Sequence, residues 1–454
     1  MHHLHQLWIR IASSLWFVPL VLVFGAIALA LALILIDVSI GTDWVRENSL
    51  IFGVGAAGAR GMLSAIAASM MTVASLSFSL TITTLATASS QYTSRLIRNF
   101  MRDRLNQFVL GYFVGLFAYC LIVLRTVLSR DEGDFVPPLA VFGGLVLALA
   151  SIGVLIFFIH HIARSIQVST ILSSVTAETL TAVGHLFPDE LGAPISAYDT
   201  AAVAPPPNAT AWHPVLAERF GYVQSLNSPG LLAIAREFDC IIRMTADIGE
   251  FVTPAGTLCE IGLASLPDGE SHARIRALFE IDSTRTIEQD AAFGIRQIVD
   301  IALKALSPGV NDTTTAVMCV HHLGVILEAL GDRDIPDRLR TEDGVVRVLA
   351  SGRSFDALAG QCLDQIRRCS TGNPAVMCAL LNAVSAAGRR TSDPARRRTL
   401  SRHVGSIASL AQASLSWDED LGPVRSLASR TAEELDAPVP YHAQARLVRP
   451  ADRV

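Results

Sequence analysis

Residues 75–83 read SLSFSLTIT, with hydroxyl and apolar residues alternating without a break. That is the period-two pattern of a half-buried strand. The stretch lies, however, in a run from Gly61 to Ser94 that carries no charged side chain. A lone strand cannot cross lipid, because its backbone groups would have no partners. Nothing nearby supplies the many alternating segments of a barrel. The flanking AIAASMM (65–71) and TLATASS (84–90) do not alternate. The stretch therefore reads as part of a membrane helix.

On a helix the hydroxyls sort differently. Thr72, Ser75, Ser79, Thr83, Thr87 and Ser90 follow one another at spacings of 3, 4, 4, 4 and 3. That is the 3.6-residue period of one continuous face. Such a face either packs against another helix, since small and hydroxyl residues let helices approach, or it lines a water-filled path built by several subunits. Ser77, Thr81 and Thr84 lie off the stripe.

Three further apolar runs flank this one. Four spans are predicted, at about 15–36, 63–89, 108–128 and 138–160, each near the twenty residues that cross a bilayer. Trp8 and Trp16 suit the interface at the start of span one. Arg95, Arg98, Arg102 and Arg104 follow span two, and Arg164 follows span four. The loops after spans one and three are near neutral or acidic. The positive-inside rule then places both termini in the cytoplasm. Arg125 and Asp37, at span ends, read as side chains snorkelling to the interface. Arg95, Arg98 and Arg102 themselves read as topology-setting charge touching lipid headgroups, or as a basic vestibule for anions.

The chain has 454 residues, is 51% hydrophobic and has a formal net charge of −5. Its mean hydropathy of +0.43 is too apolar for an ordinary soluble protein. The charge balance gives no case for nucleic-acid binding. Lys304 is the only lysine. Seven scattered cysteines without a CxxC pair read as free buried thiols in a reducing compartment.

After span four the pattern changes. Residues 161–187 read as an amphipathic helix, completing a membrane domain of residues 1–187. Residues 188–210, with APPPNAT, read as a linker. Residues 211–283 read as a small β-rich module. Within it Tyr222–Leu226 and Cys240–Met244 are strands, and Ser228-Pro229 opens a short helix through Phe238, with Ser228 as N-cap and Pro229 at N1. GEFVTPAGTLCEI (249–261) reads strand, turn, strand, like the hammerhead of small modules that carry lipoyl or biotin. No lysine lies between 211 and 282, which excludes a carrier role. Residues 284–436 read as an all-helical domain and 437–454 as a flexible tail. In it a helix over about 287–306 ends at Ser307-Pro308-Gly309, and Asn311 or Asp312 caps the next. Later helices are predicted at 354–370, 374–388, 395–415 and 422–435. The fold class is thus an α-helical integral membrane protein with four transmembrane helices and a cytoplasmic α+β region.

RTIEQDAAFGIRQIVDIALKALSPGVNDTTTAVMCVHHLG (285–324), together with SFSLTITTLATASSQYTSRLIRNF (77–100) and GYVQSLN (221–227), resembles the bacterial membrane-protein family called "domain of unknown function 2254". That family often has proline after the Asn-Asp pair; here Thr313 stands there, and threonine also tolerates the first helical turn. The resemblance implies an integral inner-membrane protein and no established activity.

Asp290, Arg296, Asp300, Asn311, Asp312, Thr314 and Thr315 surround one helix–turn–helix. Helix amides beside threonine hydroxyls can hold an anion, and the carboxylates can hold a cation. Alternatively, Asn311 and Asp312 only cap a helix while Arg296 pairs with Asp300. His160-His161 and His321-His322 are adjacent pairs, not the i, i+4 pairs of a helical metal site. No nucleophile elbow, P-loop, dinucleotide fingerprint or HExxH occurs, so the chain reads as neither an enzyme nor a cofactor protein. The leading reading is a homo-oligomeric channel for an ion, a small anion or another small solute, with span two lining it and the cytoplasmic region assembling or gating it. The other is a membrane-anchored sensor or scaffold.

Overall fold

The computed structural model describes residues 16–40, 55–91, 104–127, 136–185, 193–194, 211–264, 269–333, 339–342 and 345–437. They form two compact units, Met1–Thr170 and Ile171–Val454.

The first unit contains α1 (Phe17–Ile40), α2 (Ala56–Gln91), α3 (Arg104–Thr126) and α4 (Pro138–Ser165). All four are long and apolar enough to cross a membrane. At 1.5 Å per residue α2 is about 54 Å long, well beyond a hydrocarbon core of about 30 Å. The central helix is α3, which packs on the other three. Two glycines at GxxxG spacing bring it close to α1. A Cβ on Gly111 would lie 2.7 Å from Pro19 Cα, and one on Gly115 would lie 3.3 Å from Ala26 Cβ. On its other side, Tyr119 donates to Ala140 O at 2.6 Å and Tyr112 to Leu147 O at 2.7 Å, fastening α4.

Two charged side chains close one end of this bundle. Asp37 is 2% exposed. It accepts the N–H groups of Leu139 and Ala140, each at 3.1 Å. The flanking Pro137 gives α4 no side-chain cap, so a carboxylate from α1 satisfies its free amides at the positive end of the helix dipole. Asp37 is therefore not a snorkelling side chain. Arg60 does the converse: its Nε and Nη2 donate to Val127 O, just past α3, at 3.2 and 2.7 Å. Arg125 is exposed. Asp37→Ala strands two amides and should cost about 2–4 kcal/mol, as charge-assisted bonds to a buried group do. Asp37→Asn, which keeps an acceptor, should fall between. Thermal unfolding in detergent reads the order.

The predicted helix 161–187 is broken. The chain turns at Ile166–Gln167, where Gln167 N–H bonds Arg164 O at 3.1 Å. A new helix, α5 (Val168–His185), then begins and belongs to the second unit from Ile171. Next come β1 (Ala193–Pro194), β2 (Ala211–Leu216), β3 (Gly221–Leu226), α6 (Ser228–Glu237), β4 (Ile241–Met244), β5 (Phe251–Val252), β6 (Thr257–Leu263), α7 (Gly269–Arg276) and β7 (Phe279–Asp282). Asn227, not Ser228, caps α6, accepting Gly230 N–H at 3.1 Å. After α8 (Ala291–Ala305) and α9 (Thr313–Asp332), two strands follow, β8 (Leu339–Glu342) and β9 (Val345–Leu349). The chain ends in α10 (Phe355–Cys369), α11 (Pro374–Gly388), α12 (Pro394–Ser414) and α13 (Asp418–Asp436).

The strands make a six-stranded sheet, β1-β8-β9-β4-β6-β2, and a three-stranded one, β5-β3-β7. Two predicted boundaries change here. The sheet is not confined to 211–283, because β9 lies parallel to β4 and Val348 enters the module's core. The linker contributes β1, whose Ala193 pairs with Thr341 of β8. The hammerhead likeness also fails: β5 pairs with β3, while β6 pairs with β2 and β4. The two strands across the Pro254 turn serve different sheets.

Five helices among the described residues are long and apolar enough to cross a membrane, one more than predicted; the fifth is α9. Its apolar residues Cys319, Val320, Leu323, Ile326 and Leu327 are buried by its neighbours, with α8 and α11 packed against it. Its neighbours bury it as fully as the bundle buries α3. Among the cysteines, Cys369 is exposed and Cys378 half-buried, against the prediction that all are buried.

Adjacent arginines at the start of α12 collect helix ends. Arg396 Nη1 donates to Leu330 O, Gly331 O and Arg333 O, at the end of α9. Arg397 donates to Gly388 O at the end of α11 and Thr391 O just beyond it, and to Glu434 O, Leu435 O and Ala437 O at the end of α13.

Candidate functional site

The hydroxyl stripe of α2 turns away from its own bundle. Ala59, Leu63, Ala67, Met70, Ala74 and Ser77 are buried on one side. Thr72, Ser75, Ser79, Thr83 and Thr87 are exposed. At 100° per residue the two sets centre on opposite sides of the helix. The backbone of α2 runs through Ser90, whose side chain lies outside the described residues, as do Arg95, Arg98 and Arg102. Packing within the chain thus uses alanines, and the described helices leave the hydroxyl stripe uncovered. Met71, Leu76, Phe78 and Ile82 are exposed too, so α2 also offers an apolar surface.

The hydroxyl hydrogens are committed locally. Thr72 donates to Ala68 O, Ser75 to Met71 O, Thr83 to Ser79 O and Thr87 to Thr83 O, at 2.9–3.0 Å. A hydroxyl has one hydrogen and two lone pairs. The outward face therefore presents oxygen acceptors without fixed charge.

The seven polar residues of the helix–turn–helix do not converge. Asp290 caps the start of α8, accepting Phe293 N–H at 3.0 Å. Arg296 and Asp300 pair at 2.8 Å along the helix, and Arg296 reaches Gln365 of α10 at 2.7 Å. Asn311, Asp312, Thr314 and Thr315 lie beyond the far end, and α8 separates them from Asp290 by about 22 Å. Asp312 caps α9: it accepts Thr315 N–H at 3.0 Å and the Thr315 hydroxyl at 2.6 Å. These bonds hold its carboxyl below the usual carboxylate range. Asn311 supports the turn in the left-handed region, at φ +48. Thr314 is exposed. The Thr313 hydroxyl accepts from Asn373 Nδ2 at 2.8 Å, tying this cap to the start of α11.

Asp290 has the richer surroundings. Arg285 Nε and Nη2 reach its Oδ2 at 2.8 and 2.6 Å, and the guanidinium lies 4.9 Å over the Phe293 ring. Burial pushes the carboxyl up, and Arg285 opposes that. Gly249, at φ +83, lies so close that any β-carbon would overlap Asp290 Oδ2. The same segment is laced to β3. Gln289 Oε1 accepts Leu226 N–H at 3.0 Å, and Gln224 Nε2 donates to Thr284 O at 2.5 Å. GYVQSLN and RTIEQD are thus two halves of one junction between sheet and helices. No catalytic constellation is formed at this junction among the described residues.

The "Predicted membrane protein (DUF2254)" family matches residues 12–386. The chain belongs to this family. An uncharacterized protein of Mycobacterium bovis and one of Mycobacterium tuberculosis are each 35% identical to it over 432 residues, which is 94% of this chain and 81% of theirs. No solved structure matches it. The DUF2254 match takes in α1 to α10 and ends within α11, so α12 and α13 lie beyond it.

Within the DUF2254 region, sequence reading missed Arg285, Gln289, Gln224 and Gly249. A glycine two residues after Asp247, before a strand, is a turn signal. Nothing in the sequence says that the turn meets Asp290. The buried thiols Cys240, Cys259, Cys319 and Cys362 are pushed up to about 12 by burial, which makes them poor nucleophiles.

Proposed function

We propose that this chain is a bacterial inner-membrane protein, both termini cytoplasmic, that assembles as a homo-oligomer around a path lined by α2. It carries no catalytic role and no cofactor in this reading. The observation that supports it is the exposed stripe Thr72, Ser75, Ser79, Thr83 and Thr87, opposite the face that holds α2 in its bundle. The free lone pairs of these hydroxyls find no donor in lipid, and in a path between copies they would meet water. Oxygen acceptors without fixed charge suit water and small hydrated ions or solutes. Arg95, Arg98 and Arg102 follow the stripe in sequence and would bias the cytoplasmic mouth towards anions. In this reading four helices cross the membrane. The exposed side of α9 carries Thr314, His321 and Asp332, which belongs in water.

Protein in liposomes should pass ions, and Ser79→Trp should abolish the flux while the oligomer persists. Cysteines placed at Ser75, Ser79 and Thr83 should react with water-borne thiol reagents. A monomer in native membranes, or sites closed to such reagents without flux, would reject the reading. The alternative is a membrane-anchored sensor or scaffold. It is favoured by the uncovered Phe220 and Phe251 on the β-rich region, a surface suited to a protein or ligand.

A further inference from the structure

The three-stranded sheet β5-β3-β7 sends one face into the module's core, through Val252, Val223 and Ile281. Their neighbours alternate to the other side. There Phe251 is 51% exposed, Tyr222 is half-buried and Asp282 is exposed. The ladder sets these three side by side, with Tyr222 opposite Phe251 of β5 and opposite Asp282 of β7. The two rings meet edge to face, their centroids 5.1 Å apart. Asp282 Oδ1 accepts the N–H of Ser283 at 2.6 Å and its hydroxyl at 3.2 Å, and Oδ2 has no partner among the described residues. Glu280, on the same face of β7, accepts from the Ser225 hydroxyl at 3.0 Å. Phe220, 68% exposed just before β3, extends the aromatic edge.

Elsewhere in the same unit a ring and a carboxylate repeatedly hold an arginine between them. Arg243 lies 3.7 Å over the Trp212 ring and reaches Glu260 at 2.9 Å. Arg285 lies 4.9 Å over Phe293 and reaches Asp290 at 2.6 Å. Arg274 lies 5.7 Å from the Phe238 ring and reaches Glu237 at 2.6 Å. A ring face and a carboxylate both present negative potential, so together they grip a guanidinium from two sides. Tyr222, Phe251 and Asp282 offer the same two components. Among the described residues, no arginine or lysine of the chain lies on them.

We propose that this face docks a basic protein segment, seating an arginine against the Tyr222 and Phe251 rings and the Asp282 carboxylate. Charge selects the occupant. The carboxylates of Asp282 and Glu280 repel the phosphates of an anionic lipid surface or a nucleic acid, so the aromatics do not serve as a membrane anchor. Arginine suits the site better than lysine, because its planar head stacks on a ring while its N–H groups reach a carboxylate. The proposal rests on the uncovered surface of the sensor or scaffold reading and not on the path along α2.

The probe is a blocked, fluorophore-labelled peptide in which three arginines alternate with valines. Its twin carries citrulline, the uncharged analogue, at the same places. Fluorescence anisotropy is read against the full chain in a neutral detergent at about 50 mM salt, where surface charges are weakly screened. The arginine peptide should bind at least about tenfold more tightly than its twin. Phe251→Ser and Asp282→Asn should each weaken it about threefold to tenfold, as the loss of an exposed ring or ion-pair contact does. Both side chains are exposed, so the thermal midpoint should not move. Glu419→Gln removes an equal charge on α13 and should leave binding unchanged. Equal affinity for the two peptides would overturn the arginine preference while leaving a docking surface, and binding of neither would overturn both. A loss in Glu419→Gln as large as in Asp282→Asn would reduce the site to general charge attraction and overturn it. Self-association that depends on Phe251 and resists the peptide would give the face to a second copy. Binding to phosphatidylserine vesicles that depends on Phe251 would give it to lipid. Either result would also overturn the proposal.

Discussion

Arg397→Ala should destabilise the second unit by about 3–5 kcal/mol, since it removes a hydrogen-bonded charge and strands its carbonyl partners. A unit of this size should then lose on the order of 10 °C of thermal midpoint. The reason is stoichiometric. A guanidinium has five N–H donors. Here Nε serves Leu435 O, Nη1 serves Gly388 O and Thr391 O, and Nη2 serves Glu434 O and Ala437 O. The last carbonyls of a helix have no partner within it. One side chain thus satisfies the ends of both α11 and α13 with positive charge at their negative poles. Arg397→Lys keeps the charge but offers three donors from one point, so it should recover less than half of the loss. Thermal unfolding followed by circular dichroism measures both variants. Equal midpoints for wild type and alanine would show that water replaces the side chain without cost.

Gly249→Ala should be the most damaging single-methyl change in the β-rich region, at about 3–5 kcal/mol. Part is backbone strain: at φ +83 an L side chain costs about 1–3 kcal/mol. The rest comes from Asp290. The new β-carbon would overlap Oδ2 and lie 2.7 Å from Arg285 Nη2, forcing apart a buried ion pair. Separating buried partners is costly because each keeps an uncompensated charge. Gly405→Ala is the control. It sits within α12 with nothing within 4 Å of its β-carbon, so alanine there should stabilise by about 0.5–1 kcal/mol. Urea midpoints of the two variants should therefore move in opposite directions.

The spans were legible because lipid leaves so few options. Every backbone group must be paired inside the segment, so a run such as 61–94 has one reading despite its alternation. The helices after 354 were legible because their N-terminal signals are local: Ser354, Asn373 and Asp393 each cap the helix that follows them. What failed depended on partners far away in sequence. VVRVL at 345–349 forms a local hairpin with β8, but it joins the module's sheet only through β4, which lies about a hundred residues earlier. Asp37 looked peripheral because its partners, Leu139 and Ala140, belong to another span. The helix–turn–helix residues misled for the opposite reason. They are close in sequence, and a fifteen-residue helix holds them apart.

The clasp at Asp37 also constrains how the chain is made. Its amide partner at Leu139 lies 102 residues further on, and the Val127 carbonyl that receives Arg60 lies 67 residues beyond that arginine. At 5–20 residues per second, span one waits roughly 5–20 s before α4 is synthesised. During that interval its carboxylate, in the last turn of α1, has no helix end to bind and keeps its water. The contact that buries it can form only after span four has been made. The first span and the fourth thus close this end of the bundle last, after α1 has met α3.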